Sequence, residues 1–74
     1  MTPKAGKCYV VQWEEDGTRT VARCVETIPL CLFTVGDADP WLVSMGSKKG
    51  VYGLKRSENA EYVVPVKFLK EVKL

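Results

Sequence analysis

Apolar residues fall on alternate positions through the first third of the chain, which is the periodicity of a strand with one buried face. Lys7 to Trp13 (KCYVVQW) is dominated by β-branched and aromatic residues, the types that suit a half-buried pleated surface. Thr18 to Glu26 (TRTVARCVE) repeats the pattern, and Glu14-Glu15-Asp16-Gly17 stands between the two runs. Asp-Gly is a strong hairpin signal because both residues tolerate positive φ. A two-residue turn at Asp16-Gly17 sets Trp13 opposite Thr20, Val11 opposite Ala22, Tyr9 opposite Cys24 and Lys7 opposite Glu26. One face then gathers Tyr9, Val11, Trp13, Thr20, Ala22 and Cys24, while the other pairs Glu14 with Arg19. A slip by one residue would turn the apolar set to water.

Beyond this hairpin the pattern predicts shorter elements. Ile28 to Val35 (IPLCLFTV) is a continuous apolar run without clear alternation, the pattern of a strand covered on both faces, with Pro29 near its start or on an edge. Gly36 to Pro40 is a loop by composition, and Asp37 and Asp39 read there as turn residues. Trp41 to Gly46 predicts a fourth strand, Ser47-Lys48-Lys49-Gly50 a tight polar turn, Val51 to Lys55 a fifth strand and Arg56 to Ala60 another turn region. Glu61 to Val66 (EYVVPV) predicts a sixth strand that ends or reaches an edge at Pro65, which has no N–H for the ladder. Lys67 to Leu74 (KFLKEVKL) fits two periods. A short helical turn followed by a closing strand is favoured, and a C-terminal helix is the rival.

The 74 residues have room for one domain, residues 1–74. Five or six short antiparallel strands in so few residues cannot build a large sandwich. They can close into a small barrel, which removes exposed sheet edges. The predicted class is all-β, as a small SH3-like barrel with a possible short helical turn near the C-terminus.

Composition narrows the chemistry. Eleven Lys and Arg against nine Asp and Glu leave a formal charge of +2, short of the strongly basic balance of a dedicated nucleic-acid binder. The chain has no histidine, so it lacks the commonest general base and metal ligand. It carries no nucleophile-elbow, phosphate-loop or dinucleotide motif. No enzymatic activity, cofactor or metal is expected. Cys8, Cys24 and Cys31 form no CxxC pair and read as small apolar residues in a reducing compartment. The N-terminus shows no signal-peptide pattern, and the longest apolar run, Ile28 to Phe33, is too short to span a bilayer. A cytoplasmic protein with no membrane partner is the expectation.

Gly6, Cys8, Trp13, Glu15-Asp16-Gly17 and Ala22 resemble the opening hairpin of Tudor domains, which are SH3-like barrels. Val64-Pro65-Val66-Lys67-Phe68-Leu69 is similar to the proline-containing turn that ends many such barrels. The resemblance covers roughly a quarter of the chain. It implies an SH3-like fold and, in Tudor domains of the methyl-binding kind, an aromatic cage for a methylated Lys or Arg. Trp13 matches a cage position, but Thr20 stands where the next cage aromatic is expected.

Two surfaces are candidates for function. One is basic: Lys48 and Lys49 on a turn, Lys55 and Arg56 at the far end of the strand that follows, Tyr52 between them and Trp41 at the start of the partner strand. Cations interleaved with aromatics can grip phosphates and stack bases. The plainer reading is a solubilised turn and a core tyrosine, and Lys67, Lys70 and Lys73 form a solvated stripe if their segment is helical. The other surface is aromatic. Two Trp, three Tyr and two Phe exceed what so small an interior holds, and Trp41, just after a Pro-containing loop, is the candidate for exposure. The first expectation is a non-enzymatic module binding a protein or peptide, with self-association possible. The alternative is a nucleic-acid-binding barrel using Lys48, Lys49, Lys55, Arg56 and Tyr52, and the third is a small regulator that occludes another protein.

Overall fold

Six antiparallel strands in chain order, each bonded to its neighbours and the last to the first, make a closed barrel. They are β1 (Cys8–Trp13), β2 (Arg19–Thr27), β3 (Leu30–Thr34), β4 (Trp41–Lys48), β5 (Val51–Lys55) and β6 (Val64–Val72). The computed structural model describes residues 2–48 and 50–73, at 44–48 the backbone alone. No helix forms among them. This is the small all-β barrel predicted from the strand count, and its architecture is compatible with an SH3-like barrel.

Alternation selects the interior. Tyr9 and Val11 of β1, Ala22 and Cys24 of β2, Leu32, Val43, Leu54, Val66 and Phe68 form one buried cluster. Every strand contributes at least one side chain to it. Phe68 ties three strands together, meeting Tyr9 edge-on at 5.5 Å and Tyr52 at 5.0 Å. Edge-to-face rings of this kind add about 0.5–1.5 kcal/mol per pair beyond the area they bury. Cys24 is fully buried among them, its thiol donating to the Glu26 carbonyl, and burial raises its pKa.

The first hairpin keeps the predicted faces and corrects the predicted register. Val11 stands opposite Thr20 and Tyr9 opposite Ala22, and Gln12 opposite Arg19, two residues away from the expected pairing. Four residues turn the chain instead of two: Trp13 N–H donates to the Thr18 carbonyl at 2.8 Å and Gly17 N–H to the Trp13 carbonyl at 2.7 Å. The Asp16 carboxylate accepts from Thr18 N–H, which fixes the bend. Because the offset is even, no side chain changes face. The expected Glu14–Arg19 pair gives way to a side-chain bond from Arg19 Nε to Gln12 Oε1 at 3.1 Å, and Lys7 stands by Cys24 in place of Glu26, its carbonyl accepting from Cys24 N–H at 2.9 Å.

Three other boundaries differ. Ile28 and Pro29 form the turn before β3 rather than its start, and Ile28 is 92% exposed. The polar turn after β4 shrinks, since β4 continues to Lys48 and β5 opens at Val51. Among its described residues the C-terminal segment holds neither a helix nor a helical turn: β6 runs from Val64 through Pro65 to Val72. Pro65 is tolerated as the second residue of the strand, where it stands opposite Gly53 and its carbonyl accepts from Glu14 N–H. A bulge explains the misleading period of three. Val11 pairs with Phe68 and Val10 with Lys70, so Leu69 is an extra residue that resets the alternation. Lys67 and Lys70 are exposed on either side of it.

Candidate functional site

In an up-and-down antiparallel barrel successive connections alternate between the two ends. The connections at 14–18, 35–40 and 56–63 therefore share one rim, and three contacts join them. Trp13 at the end of β1 and Trp41 at the start of β4 meet with ring centroids 5.3 Å apart and planes tilted by 55°. Tyr62 donates its hydroxyl to Glu15 at 2.6 Å, and Arg56 pairs with Asp37 at 3.1 Å. Both tryptophans follow the inward alternation of their strands, Trp41 standing opposite the buried Leu32. They pack on the core from above and stay half-buried.

Asp37 organises this rim. One of its oxygens accepts from the Thr34 hydroxyl and from Trp41 Nε1, the latter at 3.0 Å. Its other oxygen accepts from Arg56, whose second amino group donates to the Asp39 carbonyl at 2.9 Å. The Thr34 bond above all, then those of Trp41 and Arg56, hold the Asp37 carboxyl down to about 2. Arg56 in turn lies over the Trp41 ring, its guanidinium carbon 3.6 Å from the centroid, a cation–π contact worth about 0.5–1 kcal/mol at an exposed site. Trp41 is thus held at its indole nitrogen, over its face and against Trp13.

Beside the pair lies an open cleft of about 320 Å³ lined by Trp13, Glu15, Asp16, Thr18, Trp41 and Val64. Its walls combine two indoles and an aliphatic side chain with two carboxylates. Val35, Tyr62 and Val63, at 76%, 66% and 42% exposure, add apolar surface to the same rim.

The predicted site residues divide between places. Trp41 and Arg56 come together as described, and Lys55 precedes Arg56 at the end of β5. Tyr52 points inward, packed on the core and against Phe68. Lys48 belongs to β4 near its far end; its side chain and all of Lys49 lie outside the described residues. Tyr52 therefore does not stand exposed between the cations as the basic reading expects. Sequence reasoning missed Glu15, Asp16, Asp37 and Tyr62 as members of the rim. The signal was present in the order of elements, because a closed barrel gathers the loops after its first, third and fifth strands.

The chain matches no protein-family model, and no curated protein or solved structure matches it. Among the described residues no cluster of three metal-ligating side chains occurs, and no helix is long and apolar enough to cross a membrane.

Proposed function

We propose that this barrel is a non-enzymatic binding module that takes a protein or peptide segment at the rim formed by the three connections, with Trp13 and Trp41 as the platform. The observation that carries this reading is the cleft itself: two half-buried indoles, one fixed by Asp37 and Arg56, open to solvent beside Glu15 and Asp16. Rigid aromatics set in a partly polar rim are the groups that dominate binding energy at protein interfaces. The carboxylates select the partner's chemistry, an extended segment with apolar and basic side chains. The resemblance to Tudor domains supports the same place, since Trp13 sits at the cleft. It supports methyl-ligand recognition less, since Thr20 stands opposite Val11 within the hairpin and adds no ring. The nucleic-acid alternative loses support from the arrangement of its residues, with Tyr52 turned inward and Arg56 engaged by Asp37 and Trp41.

A randomised peptide display library tests the proposal. Selected peptides should be enriched in Lys or Arg next to apolar residues, and Glu15→Lys/Asp16→Lys should weaken them at least about tenfold while the far-UV spectrum is unchanged. Selection without such enrichment, or binding indifferent to the double charge reversal, would remove the rim from consideration.

A further inference from the structure

Charge is divided between the two ends of the barrel. The connections at 14–18, 35–40 and 56–63 contain Glu14, Glu15, Asp16, Asp37, Asp39, Glu58 and Glu61, seven of the chain's nine carboxylates. The cations near that rim are Arg19 and Lys67, both opposite Gln12, with Lys55 and Arg56, so the carboxylates remain in excess there. At the opposite end lie the N-terminal segment, the end of β6 and the lower half of β2. Gly6 N–H donates to the Cys24 carbonyl, and a groove there is lined by residues 6–8 and 71–73. That end exposes Lys4, Lys7, Arg23, Lys70 and Lys73 against the carboxylates Glu26 and Glu71. It also carries apolar surface, Val25 at 44% and Ile28 at 92% exposure.

Each end thus presents exposed apolar side chains within a field of one sign, and the signs are opposite. A free polycation would account for the rim alone and a polyanion for the far end alone. A second copy of this chain accounts for both. We propose that the barrel associates head to tail, the acidic aromatic rim of one copy seating on the basic end of the next, with a Lys or Arg of that end entering the Trp13–Trp41 cleft. The proposal rests on the rim being a binding surface and names its occupant. Two different patches make the contact heterologous, so it does not close on itself and adds copies in a row. A molecule of 33 × 23 × 23 Å has small faces, which places the contact in the weak, salt-sensitive class of interfaces.

Sedimentation of the full chain at increasing concentration, in about 0.01 M and about 1 M salt, reads this directly, since the Debye length falls from about 30 to about 3 Å between them. The mass should climb with concentration in low salt and stay at 8.3 kDa in high salt. Two variants decide the geometry: one neutralised at the rim (Glu14→Gln/Glu58→Gln/Glu61→Gln), one at the far end (Lys7→Gln/Lys70→Gln/Lys73→Gln). Each alone should be a monomer, and an equimolar mixture should stop at a dimer, one live rim on one live end. A wild type that stays monomeric in low salt overturns the proposal. So does one variant that still dimerises alone, because it shows a symmetric contact of one patch with itself. An arginine-rich peptide added to the far-end variant separates the two readings. Peptide binding by that variant, with a wild type that stays monomeric in low salt, sinks the second copy and keeps the rim, and no peptide binding sinks both.

Discussion

At the scale of single residues, the rim rests on one carboxylate. Asp37 has three donors within hydrogen-bonding range, and all three favour its charged form. Its folded pKa of about 2 lies below the ordinary aspartate value of 3.8, so the folded state binds this proton less readily than the unfolded chain. Stability from Asp37 is therefore complete above about pH 4 and is lost as pH falls toward 2. Asp37→Asn should be less stable than the wild type at neutral pH, and urea unfolding at a series of pH values should show the gap closing by about pH 2. A gap as wide at pH 2 as at pH 7 would mean that the amide fails for steric reasons and that charge is immaterial. Asp16 shifts in the same direction through Thr18, but it is common to both proteins and cancels from the difference. The Gly36-Asp37-Ala38-Asp39-Pro40 composition marked a loop and marked it correctly. It did not reveal the network, because Arg56 is 19 residues away and is brought in only when β5 pairs with β4.

At the scale of elements, alternation carried most of the information and turn chemistry misled. Tyr9, Val11, Ala22 and Cys24 are buried as the pattern requires, and the strands at β1, β2 and β5 begin and end close to their predicted limits. The register slipped by two because Asp16-Gly17 closes a four-residue bend, with Thr18 N–H captured by Asp16, instead of forming the whole turn. The tail misled for a related reason. Leu69 is a bulged residue, and one extra residue in a strand makes Lys67, Lys70 and Lys73 look like a helical stripe. Gly17 is where the bend depends on a particular residue type: its φ is +75° and a Cβ built there meets nothing within 4 Å. The cost of a side chain is then purely conformational. Gly17→Ala should lower stability by about 1–2 kcal/mol, and Gly17→Asn should recover much of it, since Asn tolerates the left-handed region. Equal losses for Ala and Asn in urea unfolding would point to a crowding the structure does not contain.

At the scale of the whole molecule, closure is what distinguishes this chain from a loose meander. β6 returns to β1 along six paired positions, from Cys8 with Val72 to Trp13 with Val66, and no strand of the ring is left with an open edge. The seam is fastened from inside by Phe68, 6% exposed and in ring contact with Tyr9 on β1 and Tyr52 on β5. A domain of this length holds a margin of about 4–11 kcal/mol, and truncating a buried Phe costs about 3–5 kcal/mol. One substitution at the seam therefore consumes a large share of the total. A ring has no intermediate with a partly useful edge, because opening any seam exposes two strands and the core beneath them together. Phe68→Ala should accordingly lower the urea midpoint sharply while tryptophan fluorescence, which reports the rim, and far-UV circular dichroism, which reports the strands, still move at one midpoint. Separate midpoints, with the tryptophans undisturbed while strand signal is lost, would show β6 peeling from a sheet that survives without it, and the barrel would then be stable by its hairpins and not by its closure.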